Sequence, residues 1–116
     1  MTINQGDIYW VRLEDPDDLE PAIPHPHVII QGDDLNHSEI ETVVACALTS
    51  NIKRVSMPGN VLLEAGEANL LRHSVVEVAK LSTVKKTQLG EYIGTLSERR
   101  VQQILAGIRF IRASFL

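Results

Sequence analysis

Val43-Val44-Ala45-Cys46-Ala47-Leu48, closing on Thr49-Ser50-Asn51-Ile52-Lys53-Arg54, is the stretch on which the fold turns. Six apolar residues in a row, β-branched at the front, read as a strand buried on both faces. The switch to hydroxyls, an amide and two cations reads as that strand's emergence at the rim of a β-core. A second run, His27-Val28-Ile29-Ile30, is led by Pro26 and has the same character. Chemistry carried by this chain is expected where such strands deliver polar side chains to the rim.

Around these two runs the chain reads as short strands with one terminal helix. Residues 7–13 alternate weakly and hold Ile8, Tyr9, Trp10 and Val11, a first strand. Residues 14–26 carry Pro16, Pro21, Pro24 and Pro26 among acids, a long loop, because proline withholds ladder donors and the acids repel one another. Long loops of this kind often serve as lids or binding loops. Strands at 27–31 and 42–48 follow, joined by residues 32–38. Pro58-Gly59-Asn60 turns into a strand at 61–64, residues 66–72 form a loop, and 74–81 form another strand. One helical turn is expected at 83–90, closed by Gly90, before a strand at 92–96. Ser97 is a good N-cap, with Glu98 at the positive end of the helix dipole. Val101, Ile104, Leu105, Ile108 and Ile111 then repeat at helical spacing and must lie on the sheet. A second row, Ala106, Phe110 and Ala113 with Phe115 beyond, is either a widening of the core face or a partner surface. Many short strands, Gly/Pro turns and one helix make a small, curled, mostly antiparallel barrel, a mainly β fold with a C-terminal helix.

The 116 residues form one domain, 1–116, able to bury about 65% of its unfolded surface. The lone Cys46, inside an apolar strand, is expected to be a small buried hydrophobe rather than a nucleophile. The first residues lack the basic and apolar segments of a signal peptide, and no run is long enough to span a membrane, so a cytoplasmic location is expected. The formal net charge is −4, unevenly spread: residues 1–41 hold ten acids and one base, and residues 42–116 hold ten bases and five acids. One part of the surface is suited to meet phosphate. The modest basic excess argues against coating nucleic acid by electrostatics alone and leaves room for a site that grips a few nucleotides.

Site chemistry at such a rim needs groups that take and give protons, and a cation or hydrogen-bond donors for developing negative charge. Histidine suits the proton transfers because its ordinary pKa lies near 6.5. His25 and His27 flank Pro26 and, if extended, point to the same face. His25 has the alternative of a solvated loop residue, and His27 that of a satisfied, half-buried histidine. His25, His27, His37 and His73 have no carboxylate or cysteine at a matching short spacing, so no metal or other cofactor is expected. No glycine-flanked serine elbow and no phosphate-cradling glycine loop is present.

An ordered set of motifs runs nearly end to end: Gly6-Asp7-Ile8-Tyr9-Trp10, the Pro-led strand, Leu48-Thr49-Ser50, then Thr83-Val84, Leu89-Gly90, Ile93-Gly94 and Leu96-Ser97. In that order the chain resembles the MazF/PemK family of toxin endoribonucleases from type II toxin–antitoxin systems. The resemblance implies an SH3-like small β-barrel, the MazF/CcdB-type toxin fold, usually as a homodimer. It also implies sequence-specific, metal-independent cleavage of single-stranded mRNA by 2′-hydroxyl attack. Thr49 matches the family threonine that contacts the scissile phosphate, and Ser50 the residue after it. Family members typically carry Arg-Pro at the head of the second strand, the arginine acting as a catalytic cation; His25 stands in its place. The usual acid on the later strand falls at Ala79, within Glu77-Val78-Ala79-Lys80. His25 and Thr49 are therefore the catalytic candidates, with His27, Ser50 and Arg54 as support. Gln31, Asn51, Lys53 and Arg54 are the expected RNA contacts, and Lys53 or Arg54 is the expected source of the missing charge. The implied partners are RNA and a cognate antitoxin whose disordered tail folds over the RNA groove, with operator DNA reached only through that complex. Two other readings compete: a toxin-fold protein that grips a protein target, as gyrase-poisoning toxins do, and a catalytically decayed member that still binds antitoxin.

Overall fold

The computed structural model describes residues 2–13 and 23–115, so most of the expected proline-rich loop lies outside the described residues. The elements run β1 (Asp7–Val11), β2 (His25–Ile29), α1 (Asp33–Asn36), β3 (Thr42–Thr49), β4 (Val61–Leu63), β5 (Ser74–Lys85), β6 (Leu89–Thr95) and α2 (Glu98–Phe115), with single 3₁₀ turns at Ile52–Ser56, Glu67–Asn69 and Lys86–Gln88. All the strand pairs are antiparallel, in the order β4-β5-β3-β2-β1-β6.

The continuous apolar runs are explained by burial on both faces. Alternate residues of one strand point to opposite sides, and here each side has its own core. Ile8, Val28, Cys46 and Leu48 pack with Val76, Val78 and the helix residues Val101, Ile104 and Ile108. Tyr9, Val11, Ile29, Val43, Ala45 and Val84 form the second cluster. Cys46 is fully buried, its Sγ–H donates to the Glu77 carbonyl at 2.8 Å, and burial pushes the thiol up to about 12.

The helix bears out its reading: Ser97 Oγ accepts from the Arg100 N–H at 3.3 Å, and the expected stripe faces the sheet. The second row does not widen the core, because Ala106, Phe110 and Ala113 are exposed. Gly107, costly to a helix in isolation, lies where a side chain would strike the Gly59 carbonyl of the Pro58-Gly59 turn.

Three expectations shift. β2 begins at His25, because Pro26 sits opposite Trp10 at a point where the ladder with β3 has not yet begun, the edge-like place where proline is tolerated. The helical turn expected at 83–90 is absent: β5 runs to Lys85, since Val84 is fully buried opposite Val43, and only Lys86–Gln88 coils. The sheet also does not close into a hydrogen-bonded ring, as β4 and β6 remain its edges. Residues 66–70 fill the gap, with Asn69 Nδ2 donating to the Ile93 carbonyl at 3.0 Å and Gly94 leaving room for the Ala68 carbonyl. Ala68 and Asn69 take the left-handed backbone there, at φ 47° and 63°, the kind of local strain that collects at functional sites.

Candidate active site

Thr49 ends β3 and His25 begins β2. The β2–β3 ladder pairs Ile29 with Ala45, Val28 with Cys46 and His27 with Ala47. The same register carried two residues further sets His25 across from Thr49, just beyond the last ladder pair. Both line a cavity of about 520 Å³ together with Ser50, Arg72, Trp10 and Tyr92. They also line a smaller one, about 260 Å³, whose far wall is His27, Glu77 and Lys80. Two residues chosen from separate strands thus form the ridge between two adjoining hollows.

The smaller hollow is walled by a bulge in β5. Cys46 pairs with Leu81 and Leu48 with Val76, so residues 77–80 loop out of the ladder beside the rim. Bulges of this kind re-aim side chains next to active sites. Asn60 Oδ1 accepts the Val78 N–H at 3.0 Å, which satisfies one donor that the bulge frees. Glu77, largely buried, gathers the Lys80 ammonium at 3.4 Å and the Arg54 guanidinium at 3.9 Å.

The remaining candidates differ in how free they are. Thr49 Oγ1 accepts the Asn51 N–H at 3.2 Å, which orients the hydroxyl while its own hydrogen stays available. His25 is exposed, and neither it nor Ser50 makes a side-chain hydrogen bond among the described residues. His27 is only 3% exposed. Its Nδ1–H donates to the His25 carbonyl at 3.0 Å, and burial lowers its pKa, so it is a neutral, satisfied histidine that supports His25 from beneath. Asn51 caps the 3₁₀ turn, its Oδ1 accepting the Lys53 N–H at 3.2 Å. Lys53 and Arg54 ride on that turn and line neither hollow; Arg54 reaches the smaller one only through Glu77.

Gln31 is not brought to this site. Its Nε2 donates to Asn36 Oδ1 at 3.0 Å and to the Thr42 carbonyl at 3.1 Å, at the opposite end of β3. The cation that does line the His25–Thr49 cavity is Arg72, which enters no ion pair among the described residues. Arg72 lies in a loop without periodicity, so pattern reading passed over it. The usable signal was its place just ahead of β5, which pairs antiparallel with β3 and so starts where β3 ends. Among the described residues, no three His, Cys, Asp or Glu side chains cluster closely enough to hold a metal ion.

Residues 4–111 match the family described as PemK-like, MazF-like toxin of type II toxin–antitoxin systems. The chain belongs to this toxin family. It is 38% identical over 109 residues to the endoribonuclease MazF6 of Mycobacterium tuberculosis, an alignment covering 94% of this chain and 96% of that one. Its backbone superposes on a MazE–MazF crystal structure from Deinococcus radiodurans with a TM-score of 0.79 at 15% identity, covering 98% of both chains. It also matches an endoribonuclease solved in complex with its cognate antitoxin from a mycobacterial species, at TM-score 0.77 and 19% identity, again over 98% of both chains. In this toxin Ala79 falls in the exposed part of the β5 bulge, so no carboxylate arises from that position.

Proposed function

We propose that the chain is the endoribonuclease toxin of a type II toxin–antitoxin pair, cutting single-stranded RNA without a metal at the ridge between the two hollows. The observation that supports it most is the meeting of His25, Thr49 and Arg72 at one cavity in a chain so similar to a named endoribonuclease. The 2′-oxygen of the substrate attacks the adjacent phosphorus, forming a 2′,3′-cyclic phosphate as the bond to the 5′-oxygen breaks. Thr49 donates to a phosphoryl oxygen, where a preorganised donor stabilises developing charge. Arg72 supplies positive charge at the same oxygens, in place of Lys53 or Arg54. His25 moves protons or adds a second cation, with Ser50 as a further donor and His27 holding it in place.

The partners on this reading are single-stranded RNA, a second copy of the chain in a homodimer, and an antitoxin that covers the cavity; operator DNA is reached only through that complex. The location is cytoplasmic, where messenger RNA is translated. No helix among the described residues is long and apolar enough to cross a membrane. The deciding assay is incubation of the purified protein with one long defined RNA in chelator, followed by mapping of the ends. Discrete cuts leaving cyclic phosphate and 5′-hydroxyl ends support the reading. Intact RNA would overturn it in favour of a toxin-fold protein acting by protein binding.

A further inference from the structure

The chain has one Trp, two Tyr and two Phe. Two of these five aromatics, Trp10 and Tyr92, line the His25–Thr49 cavity while remaining 41% and 49% exposed. Aromatic side chains brought together at a concave wall are a common feature of ligand sites. The Tyr92 ring is not a loose surface side chain. Tyr92 is pinned at both ends: its ring meets the buried Tyr9 edge-on, with centroids 5.5 Å apart, and its hydroxyl shares a 2.5 Å hydrogen bond with Thr95 Oγ1. Thr95 Oγ1 in turn donates to Asp7 Oδ1 at 2.7 Å. Asp7 is itself buried, 3% exposed, and is held through its other oxygen by the Asn4 N–H at 2.9 Å. Beside Trp10, Gly90 has no side chain; a Cβ there would come within 2.8 Å of the Trp10 carbonyl and 3.5 Å of its Cβ. The Tyr92 ring is thus held rigid, and the absence of a side chain at Gly90 lets β6 pass close to the Trp10 backbone.

We propose that Trp10 and Tyr92 form a stacking platform for an unpaired base of the RNA next to the phosphate held at Thr49, with Asp7 and Thr95 as positioning residues behind Tyr92. This rests on the RNA-cleaving reading and adds to it the subsite that holds a base. Single-stranded nucleic acid is gripped by aromatic faces that accept its unstacked bases and by cations that follow its backbone. The cavity offers both, since Arg72 lines it as well. Rigidity matters because a ring already fixed loses little entropy when a base settles on it.

Trp10 is the only tryptophan, so its emission reports on the platform directly. The probes are two 2′-O-methyl oligonucleotides, which lack the attacking hydroxyl and cannot be cut: one with all its bases, and one abasic at three consecutive positions around the site cut in the parent RNA. Binding is followed by anisotropy of an end label and, in parallel, by Trp10 emission. The intact oligonucleotide should quench Trp10 on binding, and the abasic one should bind roughly tenfold more weakly with little quenching. Tyr92→Leu should weaken the intact oligonucleotide by roughly tenfold and leave the abasic one unchanged. Thr95→Val, which frees the Tyr92 hydroxyl but keeps its ring, should produce a smaller loss, about threefold, again only for the intact oligonucleotide. Equal binding of the two probes to the parent protein, or a complex seen by anisotropy with Trp10 emission unmoved, would overturn the platform while RNA cleavage left the parent reading standing. A protein that neither cuts the long RNA nor binds either oligonucleotide would sink both.

Discussion

The two ends of β3 carry the same kinds of polar side chain and use them in opposite ways. At the Thr42 end they are spent on one another. Gln31 and Asn36 exchange hydrogen bonds, with Asn36 Nδ2 donating to the Gln31 carbonyl at 2.7 Å and to Asp33 Oδ1 at 3.1 Å. The Gln5 N–H at 2.6 Å holds the Asp33 carboxyl below its usual range, and Lys86 Nζ closes the group on the Asn36 carbonyl at 2.9 Å. At the Thr49 end, Thr49 keeps a free hydroxyl hydrogen, while His25, Ser50 and Arg72 face an open cavity. A density of polar groups is therefore no mark of a site. What distinguishes one is polar capacity positioned by the fold and left unused by it.

The sharpest test of that contrast is Thr49→Ala. The fold should persist, because the lost hydroxyl accepts only one exposed turn bond. RNA cleavage should fall by about 2 kcal/mol or more in barrier, roughly thirtyfold, as for loss of a donor aimed at developing charge. Retained cleavage rates at saturating RNA would remove Thr49 from the site.

Asn36→Ala should do the reverse. It leaves the Gln31 carbonyl without its partner and the Gln31 side-chain amide with only the Thr42 carbonyl, beside the buried position of Asn36, where an unmet polar group costs about 1–3 kcal/mol. Chemical denaturation should show that loss, with the cleavage rate per folded molecule unchanged. A large fall in rate with normal stability would mean that the Thr42 end belongs to the site after all.

His25→Arg probes the role of the open end. If His25 serves as a cation at the phosphate, the arginine variant should keep the cleavage rate of the parent, because the positive charge is retained. If His25 is the base that takes the 2′-hydroxyl proton, the variant should lose cleavage by about a hundredfold or more. Full activity of His25→Ala would leave Arg72 as the charge that counts at this cavity.

How far such a site can be read in advance depends on which physical signal marks each part. The strand cores were legible because burial on two faces demands uninterrupted apolar runs, and α2 because its stripe repeats at the helical period. His25 and Thr49 were legible individually as rim residues, and their meeting follows from a register set by the apolar residues between them. Gln31 was misplaced because a glutamine after a strand looks the same whether its amide is free or tied to Asn36. Val84 overrode a local helical tendency by packing against residues more than thirty positions away in sequence, a contact invisible to a short window. Arg72 and the bulge at 77–80 were illegible for a related reason: both are set by where β5 meets β3, not by their own neighbours.

The smallest effect expected concerns the wall of the open end. Residues 66–70, which bring Asn69 and Leu70 to the cavity, are tied to α2 by Glu67, whose two oxygens accept from Arg100 Nε and Nη2 at 2.8 Å each. The Arg100 hydrogen bonds hold the Glu67 carboxyl below its usual range. A carboxylate whose pKa is depressed by folding adds stability that is fully present above its unfolded value, near 4.5, and is lost as pH falls through the folded value. The side chains are 15% and 27% exposed, so solvent screens part of the pair, and Glu67→Gln should cost only about 1 kcal/mol at neutral pH. The difference between parent and variant should stay constant from neutral pH down to about 5 and shrink below 4.5, as the parent carboxyl takes up its proton. Cleavage by the variant at neutral pH should drop by less than about threefold, since the wall is loosened while the ridge of His25 and Thr49 is untouched. A stability gap that widened on acidification would show that Glu67 is held up rather than down. A loss of cleavage as large as that of Thr49→Ala would move the working part of the site from the ridge to the 66–70 wall.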